Sequence, residues 1–307
     1  MKITILRNPS SARNAGRAAP ETPDGVAVEE LTELDALSGL LEKAKGRSSD
    51  LLVIDGGDGT IREVVSRLPE VFGDAPPILA IMPNGNTNLI ARKHGGLPGY
   101  AALEDLASAD RTGMSGKIKA APVLRVDGLR EQPVRGFIAG WGAYATGTRI
   151  AMEELSSRGG RQVAGAILSI IRRTFLGDEA TALRSGIEAH IEPEGHPAST
   201  DKSFAGIATV LEGSLISGLN PFWGDGAGEL RWIDIAAPPR RLFLAAPFIA
   251  MGRPRGWMTR AGYRSGRSAV LDLRLEGDLV VDGEVFQCAA DRPLRLSAQE
   301  RVKFLSL

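Results

Sequence analysis

The segment DLLVIDGGDGTIREVVSRL, Asp50 to Leu68, carries residues suited to binding and reacting with a polyphosphate. Gly56, Gly57 and Gly59 remove the side chains that would hold phosphate oxygens away from the backbone. The unsatisfied N–H groups of a following helix start favour negative charge. Asp58 places an acid inside this loop, where a simple anion cradle would avoid one. An acid there suggests a bound magnesium ion or a proton to be removed. The plain alternative is a glycine turn joining a strand to a helix, with Asp55 and Asp58 solvated. No GxxxxGK[ST] occurs, and no GxGxxG follows a strand candidate.

The elements that must position this loop are legible on either side of it. Leu51–Ile54 is a short apolar run of the kind a buried parallel strand shows, and Ile61, Val64, Val65 and Leu68 recur at helical spacing. Thr60 and Glu63 have the spacing of a capping box, which marks a helix start. The N-terminal part alternates strand and helix candidates: Ile3–Leu6, Leu31–Lys45, Leu51–Ile54, Ile61–Leu68, Ile78–Met82 and Asn88–Lys93. Such alternation predicts a parallel sheet with covering helices. Three loops, NPSSARN, GGDGT and NGNTN, all follow strands, so they gather at the carboxyl edge of the sheet and face one cleft. The Ala/Gly/Pro-rich 14–25 reads as a mobile loop.

From Pro122 onward strand-like runs dominate: Val123–Val126, Ile187–Ile191, Phe204–Leu211, Leu230–Ile235, Ala269–Leu275 and Leu279–Val281. They predict a β-rich second domain, interrupted by helical runs at 151–175 and 241–251. There is no internal repeat. With 307 residues, 43% of them hydrophobic and 24% charged, the chain has room for two domains. Its 37 basic and 37 acidic residues cancel, so nothing overall recruits nucleic acid or an anionic membrane. The single Cys288 excludes an intrachain disulfide and fits a reducing cytoplasm, and His94, His190 and His196 lack zinc-ligand spacing. The start MKITILRNPS is too short in apolar residues for a signal peptide, and the run Leu242–Met251 is about half a membrane span, so a soluble or peripheral protein is expected.

The loop GGDGT resembles that of the diacylglycerol kinase catalytic-domain superfamily, which includes bacterial lipid kinases and sphingosine and ceramide kinases; NAD kinases share it. Asn8-Pro9-Ser10 after the first apolar run, PNGNTNLIAR from Pro83 to Arg92, and Asp282-Gly283-Glu284 are similar to three further motifs of the lipid-kinase branch. The resemblance implies an N-terminal Rossmann-like α/β domain of the NAD kinase/diacylglycerol kinase type over 1–122, rejoined by a last strand from 298–307. A β-rich, sandwich-like lipid-substrate domain over 123–297 completes it. Departures stand at Asn86, where the family has Thr, at Leu89, where it has Asp, at Gly16, displaced from the first loop, and at Ala139 and Tyr144 in GFIAGWGAYATG.

What the resemblance implies for function is an ATP- and Mg2+-dependent kinase acting on a hydroxyl of diacylglycerol, a sphingoid base or ceramide. Nucleotide contacts carry over to Asn8, Pro9, Ser10, Thr32, Gly56, Gly57, Asp58, Gly59, Thr60, Glu63, Asn84, Gly85, Asn86, Thr87 and Asn88. Glu284 is the implied proton acceptor, with Asp282 as its partner or a metal ligand and Asp58 acting on the metal or the hydroxyl; Asp225 is a further metal candidate. Simpler readings stand beside these. Asp282-Gly283 also suits a type I′ hairpin turn, Thr32 an N-cap with Asp35, and Asp225 a solvated loop. Apolar runs flanked by arginine, Val163–Ile171 before Arg172 and Arg173 and Leu242–Met251 between Arg240-Arg241 and Arg253, suit a membrane-surface helix, an acyl-chain lip or a core helix. A homodimer is left open. The alternatives are an NAD kinase and a catalytically silent lipid- or nucleotide-binding protein.

Overall fold

In the computed structural model of the protein, the described residues are 1–108, 116–149, 180–215 and 218–307. The chain divides into two compact units, 1–123 with 301–307 and 124–300.

The first unit is built on parallel strands. Strands β1 (Ile3–Arg7), β2 (Val26–Glu30), β3 (Leu51–Gly56) and β4 (Ile78–Pro83) lie in the order β2-β1-β3-β4, and each neighbour is parallel. The returning C-terminal residues add a parallel partner to β4, with Phe304 opposite Leu79. Every residue of β3 is buried, as expected of a central strand covered on both faces. One face holds Ile3, Ile5, Leu51, Val53, Ala80 and Met82 against Leu97, Leu103 and Leu106. Each such aliphatic side chain contributes about 2 kcal/mol when taken fully out of water.

Helices α1 (Leu37–Gly46), α2 (Asp58–Phe72), α3 (Leu89–His94) and α4 (Ala102–Ser108) follow the strands. In α1 the buried residues Leu37, Leu40, Leu41 and Ala44 recur at helical spacing, and α1 packs on α2. Strand β2 occupies residues for which no element was expected, and three local expectations change. The helix expected from Leu31 begins at Leu37 after a 3-10 turn, Leu34–Ala36, whose N-cap is Glu33. Thr32 is therefore exposed and caps no helix. Helix α2 starts at Asp58 with Gly57 as N-cap, so Thr60 and Glu63 form no capping box; it also continues past Pro69 for a further turn.

In the second unit β7 (Ile138–Gly142), β9 (Ser203–Thr209), β10 (Leu230–Ala236), β11 (Tyr263–Ser268), β13 (Gly277–Val281) and β14 (Glu284–Cys288) form a six-stranded sheet, ordered β11-β10-β9-β7-β13-β14. All its pairs are antiparallel. Separately, β12 (Val270–Leu275) pairs antiparallel with β8 (Ala189–Pro193) and with the first residues of β15 (Leu294–Leu305). Strand β5 (Ile118–Asp127) forms a hairpin with β6 (Val134–Gly136). A buried polar chain ties the large sheet together: Trp141 donates to Ser203 (2.9 Å), Ser203 to Asp234 (2.6 Å), and Arg264 to the other Asp234 oxygen (3.0 Å). A short helix α5 (Ala180–Ser185) precedes β8, and α6 (Leu242–Ala250) and α7 (Gly256–Arg260) lie between β10 and β11. The expected helix over 151–175, with Val163–Ile171, Arg172 and Arg173, lies outside the described residues.

Candidate functional site

The register of the parallel strands sets the site in the first unit. Arg7 lies beside Asp55 and Asp55 beside Met82, so the loops after β1, β3 and β4 leave the sheet side by side. Their backbones are then stitched together. Asn8 donates its N–H to the Asp55 carbonyl (2.9 Å), Asn84 to that of Gly56 (3.1 Å), and Arg13 to that of Asn84 (3.0 Å).

Beneath these loops lies a carboxylate that the sequence left as solvated. Asp55 is fully buried. It accepts from the Asn14 amide (2.8 Å), the Asn84 amide (2.6 Å) and the Tyr100 hydroxyl (2.5 Å), and the Arg7 guanidinium stands 3.9 Å away. A buried carboxylate is tolerated only when its oxygens are hydrogen-bonded and a counter-charge is near, and Asp55 has both. Burial, and then the bond to Asp55, push the Tyr100 hydroxyl well above its ordinary pKa. Asn14 is thus an anchored, buried residue where a mobile loop was expected.

Asn8, Pro9 and Ser10 form the first loop as expected. The Asn8 side chain accepts the Ser10 N–H (2.9 Å) and donates to the Thr60 hydroxyl (2.9 Å), so the first loop is tied to Thr60, the third residue of α2. Gly56 makes room for that hydroxyl: a Cβ there would stand 2.8 Å from Thr60 Oγ1. Glu63 is buried and paired with Arg62 (2.6 Å) and Arg67, which makes it part of the α2 scaffold.

Asp58 and the PNGNTN loop interlock. The two Asp58 oxygens accept the N–H groups of Leu89 (2.9 Å) and Ile90 (3.0 Å), so this acid caps α3. That is a physical reason for an acid in the glycine loop which needs neither metal nor proton transfer. Asn88, in the left-handed region at φ 50°, holds both backbone groups of Gly85 through its side-chain amide (2.9 and 2.8 Å). Gly85 and Gly57 then meet backbone to backbone, since a Cβ on Gly85 would lie 2.4 Å from Gly57 Cα. At Gly59 nothing lies within 4 Å of where a Cβ would stand. Asn86 and Thr87, in the loop after β4, are exposed, with the Thr87 carbonyl held by Arg92 (2.5 Å). The opening at Gly59 sits on the first turn of a 15-residue helix, whose leading N–H groups have no intrahelical acceptor. An anionic group fits there.

In the second unit Asp282 and Gly283 link β13 to β14. Both have positive φ, 45° and 93°, and Val281 pairs with Glu284, so the segment is a type I′ hairpin turn. The Asp282 carboxylate accepts the N–H groups of Phe137 (2.9 Å) and Ile138 (2.9 Å) and fixes the passage from β6 to β7. Gly136 is required for this, because a Cβ there would stand 2.5 Å from Asp282 Oδ2. Glu284 opens β14 and takes a hydrogen bond from Arg130 (2.7 Å), whose guanidinium also lies over the Phe286 ring. Tyr144 packs over Gly140, and burial, with the Asp282 charge second, pushes its hydroxyl up to about 12. Asp225 lies in an exposed loop. Among the described residues no group of three or more His, Cys, Asp or Glu could hold a metal ion, and no helix is long and apolar enough to cross a membrane.

Comparison with known proteins supports one part of the chain by sequence and all of it by shape. Residues 2–125 match the profile of the diacylglycerol kinase catalytic domain. No curated protein matches the chain. A crystal structure of a diacylglycerol kinase from Bacillus anthracis str. Sterne superposes with a TM-score of 0.61 at 14% identity, covering 100% of this chain and 97% of that one. Two structures of a provisionally assigned diacylglycerol kinase from the same strain give a TM-score of 0.64 at 15% identity with the same coverage. At such identities the likeness establishes fold alone. Residues 2–125 are therefore similar to the diacylglycerol kinase catalytic domain, and the chain has the fold of these bacterial proteins.

Proposed function

We propose that this protein is an ATP- and magnesium-dependent lipid kinase, transferring the γ-phosphate to a hydroxyl of diacylglycerol or a related acyl lipid such as a sphingoid base or ceramide. The observation that carries the reading is the pinned pair of loops at the carboxyl edge of the parallel sheet. Gly57 against Gly85, with Asp58 capping α3, holds the start of α2 open at Gly59, where phosphate oxygens can reach backbone N–H groups. Asn8, Ser10, Thr60, Asn84, Asn86 and Thr87 surround these loops in sequence and supply polar contacts for the nucleotide.

The chemistry asks the protein mainly for position and charge. The acceptor oxygen attacks the γ-phosphorus, the bond from that phosphorus to the β–γ bridging oxygen breaks, ADP leaves, and the hydroxyl proton passes to the Glu284 carboxylate. Asp282 positions the hairpin that carries Glu284, through its bonds to Phe137 and Ile138. Magnesium commonly binds through one or two carboxylates together with substrate phosphates, so Asp58 alone suffices on the protein side. When bound, the ion offsets the charge of the triphosphate. The lipid is taken from a bilayer by peripheral contact.

One observation favours a second reading, a silent nucleotide binder: both Asp58 oxygens and both Asp282 oxygens already serve backbone N–H groups. Transfer of labelled γ-phosphate to diacylglycerol, monoacylglycerol, sphingosine, ceramide and NAD separates these outcomes. Labelled lipid, lost in Glu284→Gln, supports the kinase. Label on NAD alone overturns the lipid assignment, and nucleotide binding without transfer supports the silent reading.

A further inference from the structure

Helix α6 (Leu242–Ala250), LFLAAPFIA, contains no polar residue, and only Ala245 of its nine residues is buried. A core helix of this composition would be covered all round. Here Phe243 is 68% exposed, Leu244 62% and the following Met251 51%, while Leu219, whose neighbour Asn220 bonds the Ala250 carbonyl, is 40% exposed. Such a concentration of large apolar side chains marks an interaction surface.

The charges around it identify the partner. No Asp or Glu occurs from Ile235 to Leu271, whereas Arg240, Arg241, Arg253, Arg255 and Arg260 do occur there, and all five are exposed. Among the described residues none of the five has a carboxylate partner, in contrast to Arg264 with Asp234 and Arg267 with Glu212. They bracket the helix. Arg241 is its N-cap and lies over the Trp257 ring, the Arg253 N–H bonds the Phe248 carbonyl, and the Arg255 guanidinium lies over the Phe248 ring. Uncompensated cations packed along an apolar helix complement a surface that is anionic outside and hydrocarbon within. An acyl boundary accepts the apolar face while the arginine and tryptophan side chains stay at headgroup level.

We propose that α6 docks on an anionic phospholipid bilayer, lying in the interface with Leu244 and Met251 in the acyl boundary and the five arginines on headgroup phosphates. This extends the peripheral contact proposed above to a named surface. Docking needs no turnover, so it fails or stands separately from the kinase reading.

The test is flotation of the full chain with phosphatidylcholine vesicles, with and without phosphatidylglycerol, together with a fluorophore on Leu244→Cys; Cys288 is buried. Binding is expected with phosphatidylglycerol, falling with salt, and about tenfold or more weaker in Leu244→Asp/Met251→Asp and in Arg241→Glu/Arg253→Glu. These positions are exposed, so thermal melts should match wild type. Fluorophore emission should shift to the blue only when anionic vesicles are added. Absence of vesicle binding, or binding unchanged in the variants, overturns the proposal. Emission already blue without vesicles would mean the chain itself covers α6. A dimer in light scattering that dissolves in Leu244→Asp/Met251→Asp, with vesicle binding unchanged, would assign the face to a second copy.

Discussion

Gly57 and Gly85 touch: the loop after β3 and the loop after β4 approach until a single added methyl on Gly85 would stand 2.4 Å from Gly57 Cα. No L side chain fits there without moving one loop from the other. Gly85→Ala should therefore lower nucleotide affinity and cost about 1–3 kcal/mol of stability from the enforced shift. Gly59→Ala meets no neighbour, so it should leave the melting temperature unchanged and still weaken nucleotide binding. Calorimetric titration with ATP beside thermal melts reads both. Full ATP binding in Gly59→Ala would remove the opening from the site.

Asp58 combines a cap with a proposed metal contact, and two substitutions separate them. Asp58→Ala removes the acceptor for Leu89 and Ile90 and should cost about 1 kcal/mol. Asp58→Asn keeps one acceptor oxygen, so it should melt closer to wild type while losing phosphoryl transfer. Transfer at wild-type rate in Asp58→Asn would leave the residue as a cap only.

At the hairpin, Glu284 and Asp282 should divide in the same manner. Glu284→Gln should fold normally and lower transfer by about 10²–10⁴-fold, the range for a lost general base. Asp282→Ala leaves the N–H groups of Phe137 and Ile138 without their acceptor and should cost about 1–3 kcal/mol in a denaturant titration. Equal loss of stability in both variants would contradict this division.

His94 closes α3 and stacks on Phe304, ring centroids 4.8 Å apart. Burial lowers its pKa to about 4, with the Lys93 charge adding to the effect. The unfolded chain then binds the proton more readily than the folded one. The neutral form's contribution is fully present above about 6.5, the unfolded value, and is lost as pH falls toward about 4. His94→Phe should flatten stability measured across that window. An unchanged slope would show that another group governs it.

Glu300 gives a lower window. It accepts from Arg135 (2.5 Å) and Arg125 (2.8 Å), and although burial opposes this, the two guanidinium partners hold its carboxyl below the ordinary range. Its contribution is present above the unfolded value and lost as pH falls through the folded one. Glu300→Gln should cost about 2 kcal/mol near neutrality and reduce acid sensitivity, read from urea midpoints against pH.

Hydrophobic periodicity determined the parallel first unit and the strand-rich remainder, because β3, β4 and α2 carry apolar patterns long enough to commit each face. The loops that gather at the carboxyl edge followed from strand order alone. Local spacing misled where side chains found distant partners. Thr60 and Glu63 look like a capping box, yet Asn8 takes the Thr60 hydroxyl and two arginines take Glu63. Asp55 and Asn14 read as loop residues, and only register, which sets Arg7 beside Asp55, shows them as a buried network. Asp58 and Asp282 were legible as acids in glycine turns, but the N–H groups that donate to them are 31 or more residues away in sequence. Composition likewise marked α6 as apolar and arginine-flanked, while its exposure was decided by packing. Short-range pattern records which faces must be buried; which polar atoms meet across the fold is set by tertiary contacts that no local window contains.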